Sequence, residues 1–475
     1  MRWAEKLEKL FKAILRELSG LIPDMLRGCT KVFLLLLLVA ACMPQPSERS
    51  NVTEAITSTL SSVLTESSPD EQLKIDLKSD FAKALNEVVR SNKAYSAALA
   101  SERSLLSKVA SAESVQRPQI RGNSTVGGVR ETGGNDSGKT TKGMAVGVNV
   151  SQLIFDGGLS SANIDQAMAQ ALRATAERQV IGNEIALEAA RAWIDYWQYQ
   201  SRLNILDVRT SEMDDLLLKM ERMASNGMMD RSALDSARRQ ALDMSLEEKL
   251  LLNGLDEAKI KFKRFFNQEI NNISKPEEFV DLAEARVQAN NWQEAPTLRQ
   301  TAAEVVVANN ALKIAKAAFA PQTRLQAGVT SPMDTGDSTD TSIGLLLEYT
   351  FGDGGKRDAD LKEAEAGLEA AQARLDDVQR VFSAEMEASL NKLNSLAASL
   401  PLVSEKISIS RVEAETARSQ LSTGQTNLRQ LIDAELENYR AEDKQVVLNA
   451  EKLVLQFGIA AKTGALGKLI NLDIP

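Results

Sequence analysis

The stretch Met144-Ala145-Val146-Gly147-Val148-Asn149-Val150-Ser151-Gln152-Leu153-Ile154-Phe155-Asp156-Gly157-Gly158 decides how this 475-residue chain is read. Met144, Val146, Val148, Val150 and Ile154 fall on one side and Ala145, Gly147, Asn149 and Ser151 on the other, the period of two that marks a strand with one apolar face. At Asp156-Gly157-Gly158 the period stops. Leu159 then opens a run to Asn226 with no proline and one internal glycine, Gly182. An unbroken helix of that length is about 100 Å long at 1.5 Å rise per residue, more than one globular domain contains. A strand that feeds a rod is the unit to look for elsewhere.

The unit occurs twice. Asn92 and Pro118 match Ala295 and Pro321 at an offset of 203, whereas Asp156-Gly157-Gly158 and Gly227 match Asp353-Gly354-Gly355 and Gly424 at an offset of 197. The change of offset puts the length difference in the loop between the strands, near Glu131 to Lys142 in one copy and Pro332 to Asp340 in the other, both rich in turn-forming residues. In the second copy Leu325, Ala327 and Val329 oppose Arg324, Gln326 and Thr330. Beyond its loop, Ile343, Leu345, Leu347, Tyr349 and Phe351 oppose Ser342, Gly344, Glu348 and Thr350, with Leu346 the one lapse. A second rod is expected from Arg357 to Thr423, broken at Pro401, and the return helices from Ser232 to Phe266 and from Leu428 to Lys462. Helices over Asp80 to Val115 and Glu294 to Phe319 lead into the two strand pairs. The 475 residues therefore divide into a linker 42–79, a first repeat 80–270 with its β-hairpin at 117–155 and tip near 227, and a connector 271–293. A second repeat follows at 294–466, with its hairpin at 321–352 and tip near 424, then a tail 467–475.

Alternation of this kind fits a half-buried sheet on a soluble core and, equally, a membrane barrel that is apolar outside and polar or small inside. Each hairpin stands alone between long helices, and an isolated hairpin is marginal, so the strands need partners. Four strands cannot close a spanning barrel, which begins at eight. Two chains give eight strands and a filled interior, three give twelve and an aqueous lumen. The fold expected is mainly α with a membrane β-barrel: duplicated long α-helical hairpins and two β-hairpins per chain, assembled by a trimer into a twelve-stranded barrel and a helical tunnel.

Composition removes whole classes of function. The net charge of −9 gives no electrostatic support for nucleic acid, which requires a basic face. The chain has no histidine, so the commonest general base and the commonest metal ligand are both missing, and Asp353-Gly354-Gly355 lacks the lysine of a phosphate-binding loop. No enzyme, catalytic residue, cofactor or metal site is expected. Trp193, Tyr196, Trp197 and Tyr199 crowd one rod and read as packing between helices. Near the N-terminus Arg27 and Lys31 precede an apolar run, Val32 to Ala41, too short to span a bilayer and sized for an export signal. Residues 1–41 are read as an N-terminal extension and signal peptide, with Met25 as the expected start.

Two resemblances sharpen this. Leu38-Val39-Ala40-Ala41-Cys42 resembles the lipobox of bacterial lipoproteins, which implies acylation of Cys42 and a lipid anchor; an ordinary signal with an incidental cysteine is the alternative. The doubled order of helix, proline-led strand, hairpin, Asp-Gly-Gly, rod, glycine turn and return helix resembles the TolC-like outer-membrane factors. Gln420 to Glu435 is similar to the second tip of that family, particularly in members serving type I secretion, and Lys462-Thr463-Gly464-Ala465-Leu466 also fits. That resemblance implies a homotrimer in the outer membrane with its helices in the periplasm. It implies docking to a periplasmic membrane-fusion adaptor and an inner-membrane ABC or RND pump for type I secretion or multidrug efflux. Adaptor contacts are expected at Asn226, Gly227, Met228, Met229 and Ser232 of the first tip and at Thr423, Gly424, Gln425, Thr426 and Leu428 of the second. At the periplasmic aperture, Asp433 falls on a family acidic position, while Gln430 departs from the pattern at the other. Ala233 stands where some members carry an acidic latch residue. A periplasmic coiled-coil adaptor or structural lipoprotein without a pore is the competing reading.

Overall fold

The computed structural model describes residues 80–130, 140–228, 230–267, 269–276, 278, 287, 291–331, 339–422 and 427–472. The signal segment, Cys42, the linker, the loops at 131–139 and 332–338 and most of the connector lie outside the described residues. The described chain forms two compact units, one of residues 110–164 and 313–357 and a helical one comprising the rest.

The first unit is a four-stranded antiparallel sheet in the order β1 (Gln119–Arg130), β2 (Thr140–Phe155), β3 (Gln322–Thr330), β4 (Asp340–Glu348). The duplication is written into its hydrogen-bond register. Gln119 faces Ser151 in the first hairpin, and Gln322 and Glu348, the residues 203 and 197 further along, face one another in the second. The two hairpins join through β2 and β3, where Val148 faces Val329 and Val150 faces Ala327, with an irregularity between Leu153 and Phe155. Because the period is two, these pairs sort the sheet into two faces. One carries Ile120, Val126, Met144, Val146, Val148, Val329, Ile343, Leu345 and Leu347, all exposed. The other carries Arg121, Asn123, Asn149, Ser151, Arg324, Gln326, Ser342 and Glu348, with Asn149 Nδ2 donating to Asn123 Oδ1 at 3.3 Å. No soluble core covers the apolar face, so the half-buried-sheet alternative has nothing to rest on among the described residues. β4 ends at Glu348, short of the expected 352.

The second unit contains α1 (Asp80–Ser91), α2 (Lys93–Ser114), α3 (Leu159–Ser225), α4 (Arg231–Phe266), α5 (Pro296–Ala317), α6 (Lys356–Ser422), α7 (Leu428–Lys462) and α8 (Ala465–Leu469), four of which, α2, α3, α5 and α6, reach across the boundary residues. Both rods have 67 residues. Three expectations are corrected. The entering helix is broken at Asn92, whose side chain accepts from the Ala94 N–H at 2.8 Å and so starts α2 afresh. Pro401 does not end α6, which runs through it. Pro401 and Leu402 are exposed, so water can take the carbonyl that the missing N–H leaves free. The residues expected as a tail are packed: Leu469, Ile470 and Leu472 are buried, Asn86 donates to the Ile470 carbonyl, and the Gly467 N–H donates to Asn183 Oδ1 at 2.8 Å.

One core gathers Phe81, Leu85 and Val89 of α1 with Ile194 of α3, Leu298 of α5, Leu393 of α6 and Leu453 and Phe457 of α7. The aromatic cluster on α3 is part of the packing: Trp193 meets Phe81, Phe262 and Phe266 edge-on at 4.9–5.6 Å, and Tyr196 lies 5.5 Å from Phe262. No described helix is long and apolar enough to cross a membrane.

Candidate functional site at the helical tips

The first tip closes by backbone chemistry. Gly227 takes φ 69° and donates to the Ala224 carbonyl at 3.1 Å, while Met228 donates to Met223 at 2.9 Å, the paired bonds that satisfy the last carbonyls of a helix. Asp230 then caps α4, accepting from the Ser232 N–H at 3.1 Å and from its hydroxyl. These bonds, the hydroxyl first, hold the Asp230 carboxyl below its usual range. Asn226, Gly227, Met228 and Ser232 are all exposed there, Met228 with 64% of its surface free. At the second tip Asn427 caps α7, accepting from the Gln430 N–H at 2.9 Å. Met229, Thr423, Gly424, Gln425 and Thr426 lie outside the described residues.

Leu428 is not a surface residue of the protomer. It is 3% exposed and packs with Leu431 and Ile432 against Met213 and Met220 of α3 and Leu234 of α4. It opens the inward stripe of α7, so its expected role as a contact gives way to one as a core anchor. Gln430 and Asp433 lie on the exposed side of the same turn, and Asp433 Oδ1 accepts from Gln240 Nε2 of α4 at 3.3 Å.

Above the tips lies a feature that the sequence reading missed. Glu435 is 5% exposed, yet it sits in the apolar stripe between Ile432 and Leu436. Its Oε2 accepts from Arg209 at 2.9 Å, and its Oε1 is 2.6 Å from Arg418. Arg209 also meets Glu212 at 2.7 Å and Glu442 at 3.4 Å; Arg418 reaches Glu212 at 2.9 Å, and Arg411 reaches Glu442 at 3.1 Å. Burial works against the Arg209 charge, but Glu212, Glu442 and Glu435 outweigh it and hold the guanidinium above its ordinary range. One step higher Arg202 of α3 bridges Asp443 of α7 at 2.6 Å and Glu247 of α4 at 3.6 Å. Burial pushes the nearby Tyr439 hydroxyl up, so it stays neutral. A cleft of about 440 Å³ opens beside this network, with Glu212, Asp215, Lys219, Arg418 and Glu435 on its walls. The signal was available: an acid at the fourth place of Leu431, Ile432, Leu436 and Tyr439 spacing needs a buried partner.

Among the described residues no cluster of His, Cys, Asp or Glu is arranged to hold a metal ion. The described tip residues thus carry helix caps, an inward apolar stripe and ion pairs.

The sequence profile of the outer membrane efflux protein family matches residues 281–461. No curated protein matches the chain significantly in sequence. In fold the chain is similar to CusC, at a TM-score of 0.70 and 14% identity, over 89% of this chain and 97% of that one. It is similar to the outer-membrane protein VceC of Vibrio cholerae at a TM-score of 0.66 and 13% identity, over 81% and 96%. It is also similar to the open state of the MtrE outer-membrane channel of Neisseria gonorrhoeae, at 0.64 and 15%, over 85% and 97%. Residues 281–461 thus carry the profile of the outer membrane efflux protein family, and the chain shares the fold of these outer-membrane proteins.

Proposed function

We propose that this protein is the outer-membrane channel component of a tripartite export system, one third of a passive duct through which a periplasmic adaptor and an inner-membrane pump discharge their cargo. The observation that carries the reading is the sheet: four strands, of which the terminal β1 and β4 are each paired on one side only among the described residues, one exposed apolar face and one polar face. Open edges do not survive in hydrocarbon, and four strands do not close, so the reading requires neighbouring copies. Twelve strands from three copies leave an aqueous lumen lined by the polar face.

The helical unit supports the same assembly. Leu242, Leu246 and Leu250 of α4 and Leu402, Ile409 and Val412 of α6 are exposed at helical spacing, two stripes suited to burial against further copies of the chain. In this reading the exposed tip residues, Met228 foremost, meet the adaptor, because a flexible thioether at a helix end packs into grooves of varied shape. Cys42 carries the lipid anchor. Asp433, repeated three times around the mouth beside Gln430, favours cations there. A periplasmic coiled-coil adaptor leaves the exposed apolar sheet without a use, so the pore-free alternative is not adopted. Efflux and type I secretion are both served by such a duct.

The test is assembly and conduction. Detergent-extracted protein should run as an oligomer that falls to monomers on boiling, and it should form ion-conducting channels in a planar lipid bilayer. Asp433→Asn should lower the cation preference read from the reversal potential. Monomeric protein that is water-soluble once Cys42 is removed, and that conducts nothing, would refute the proposal.

A further inference from the structure

We infer that β4 of one subunit pairs antiparallel with β1 of the next in one specific register, with Leu345 opposite Val126 of the partner subunit. The inference rests on the multi-copy barrel proposed above and goes beyond it, because it fixes which residues meet at the seam.

The template is inside the chain. Each repeat supplies a strand pair, and the two hairpins have the same internal register once the offsets of 203 and 197 are applied, as the Gln119–Ser151 and Gln322–Glu348 pairs show. The seam between repeats within one chain is β2 against β3. A ring built by repeating the same unit closes each further seam in the same way, now with β4 in the place of β2 and β1 in the place of β3. Carried across, the pair Val148–Val329 becomes Leu345 with Val126, and Val150–Ala327 becomes Leu347 with Ser124. Ser151–Gln326 becomes Glu348 with Asn123.

Three features of the sheet agree with this register. The faces match: Leu345 and Val126 both lie on the apolar face, at 69% and 77% exposure, and Glu348 and Asn123 both lie on the polar one. A shift by one residue would put Leu345 beside a polar-face residue. The lengths match as well. β2, paired on both sides, runs 16 residues and stays a strand to Phe155, whereas β4, paired on one side, stops at Glu348 after 9. The residues equivalent to the end of β2 are Tyr349, Thr350 and Phe351, still alternating in sequence. Phe351 is 92% exposed there, with Tyr349 edge-on to it at 4.9 Å. Pairing with β1 of the partner subunit extends β4 through these residues and gives the aromatic pair a fixed place at the strand end, where membrane barrels carry such rings. Finally, the seam is heterologous: the two open strands differ, so copies add head to tail and close a ring.

The experiment is disulfide trapping in the full chain, whose native cysteines, Cys29 and Cys42, lie outside the strands. Directly opposed residues have Cα atoms roughly 4.5–5.5 Å apart, inside the span of about 4.4–6.8 Å that a disulfide bridges. Diagonal neighbours stand roughly 7–8 Å apart. Membranes holding the double variant Val126→Cys with Leu345→Cys, oxidised with copper phenanthroline, should shift to covalent dimers and trimers that survive boiling without reductant. Val126→Cys with Leu347→Cys, Val126→Cys with Ile343→Cys, each single variant and the unmodified chain should remain monomers on boiling. Stronger trapping with Leu347 or Ile343 would overturn the register. A trapped monomer of altered mobility would mean that the sheet closes within one chain, and dimers from Leu345→Cys alone would mean that β4 meets β4. Each overturns the inference. A boiling-sensitive, conducting oligomer that none of the pairs traps also overturns it while leaving the channel reading intact. The absence of any such oligomer in the unmodified chain refutes the channel reading itself.

Discussion

Replacing Glu435 by glutamine tests whether the buried ion network holds the tip helices together. The carboxylate is almost fully buried, between Arg209 at 2.9 Å and Arg418 at 2.6 Å. Removing one partner of a buried pair generally costs about 3–5 kcal/mol, because the other charge is left without compensation. Here the loss is smaller. Arg209 keeps Glu212 and Glu442, and Arg418 is half-exposed and keeps Glu212, so water and the remaining carboxylates absorb part of it. About 2 kcal/mol remains, which is roughly a 30-fold change in a local opening equilibrium. Hydrogen exchange of peptides covering 428–445 should therefore quicken by about 30-fold in Glu435→Gln, while peptides from β2 keep their rate. Glu437→Gln provides the scale: its partner Lys406 and Glu437 itself are each about half exposed, so about twofold is expected. Equal exchange of 428–445 in Glu435→Gln and the unmodified protein would refute the claim that the network secures these helices.

Other outcomes follow from the same structure. Gly227→Val places a branched side chain at φ 69°, so it should cost roughly 1–2 kcal/mol locally, fray the first tip in hydrogen exchange and abolish export while leaving oligomers in the membrane. Leu345→Arg should lose roughly 2–4 kcal/mol of membrane insertion and reduce the assembled protein extracted from membranes, whereas Ser342→Arg on the opposite face should assemble normally and alter conductance. A pH effect has a definite sign. The hydrogen bond from Lys406 and its charge hold Glu437 low, and at Glu278 burial is outweighed by Lys452 and Lys275, so both carboxyls bind protons less well folded than unfolded. Their contribution is complete above the ordinary carboxylate range and is lost as pH falls through it, so thermal stability should be level from about pH 6 to 8 and drop below about pH 4.5. Stability that rose on acidification would contradict that sign.

What was legible in the sequence was whatever depends on neighbours along the chain. The alternation in Met144 to Ile154 assigns faces because the strand period needs no partner to define it, and the shift from 203 to 197 put the length change in a loop that both registers respect. The rods were legible because 67 residues without a cap leave no other reading. Leu428 was misplaced because proximity to a tip glycine was read as exposure; its spacing to Leu431 and Ile432 carried the better information. The Arg209–Glu435 network was hidden for a stronger reason. Its members come from α3, α6 and α7, up to 233 positions apart, and no local pattern says which charges a bundle will bring together.

The two repeats share a backbone plan but not a chemistry, and the difference reports their place in the sheet. At both strand-to-helix turns the aspartate receives the same backbone bonds: Asp156 from Gly158 and Ser160, Asp353 from Gly355 and Arg357. The fourth residue on then diverges. Behind the inner strand β2 the turn lies against the start of the second hairpin, so closely that a Cβ on Gly157 would stand 2.2 Å from Cβ of Ala320, and the fourth residue on is the small, buried Ser160. Behind β4 a Cβ on the turn glycine Gly354 would meet nothing within 4 Å, and Arg357 extends from Asp353 to the Thr350 carbonyl at 2.8 Å, with its guanidinium 5.1 Å from the centre of the Phe319 ring. An inner seam has its neighbour built in and can rely on close packing. The outer turn must stay folded before its neighbour arrives, and an arginine that ties strand end, cap and helix end together within one chain does that. Under the proposed assembly, this divergence between the repeats falls at the edge where β4 would receive a further copy of the chain.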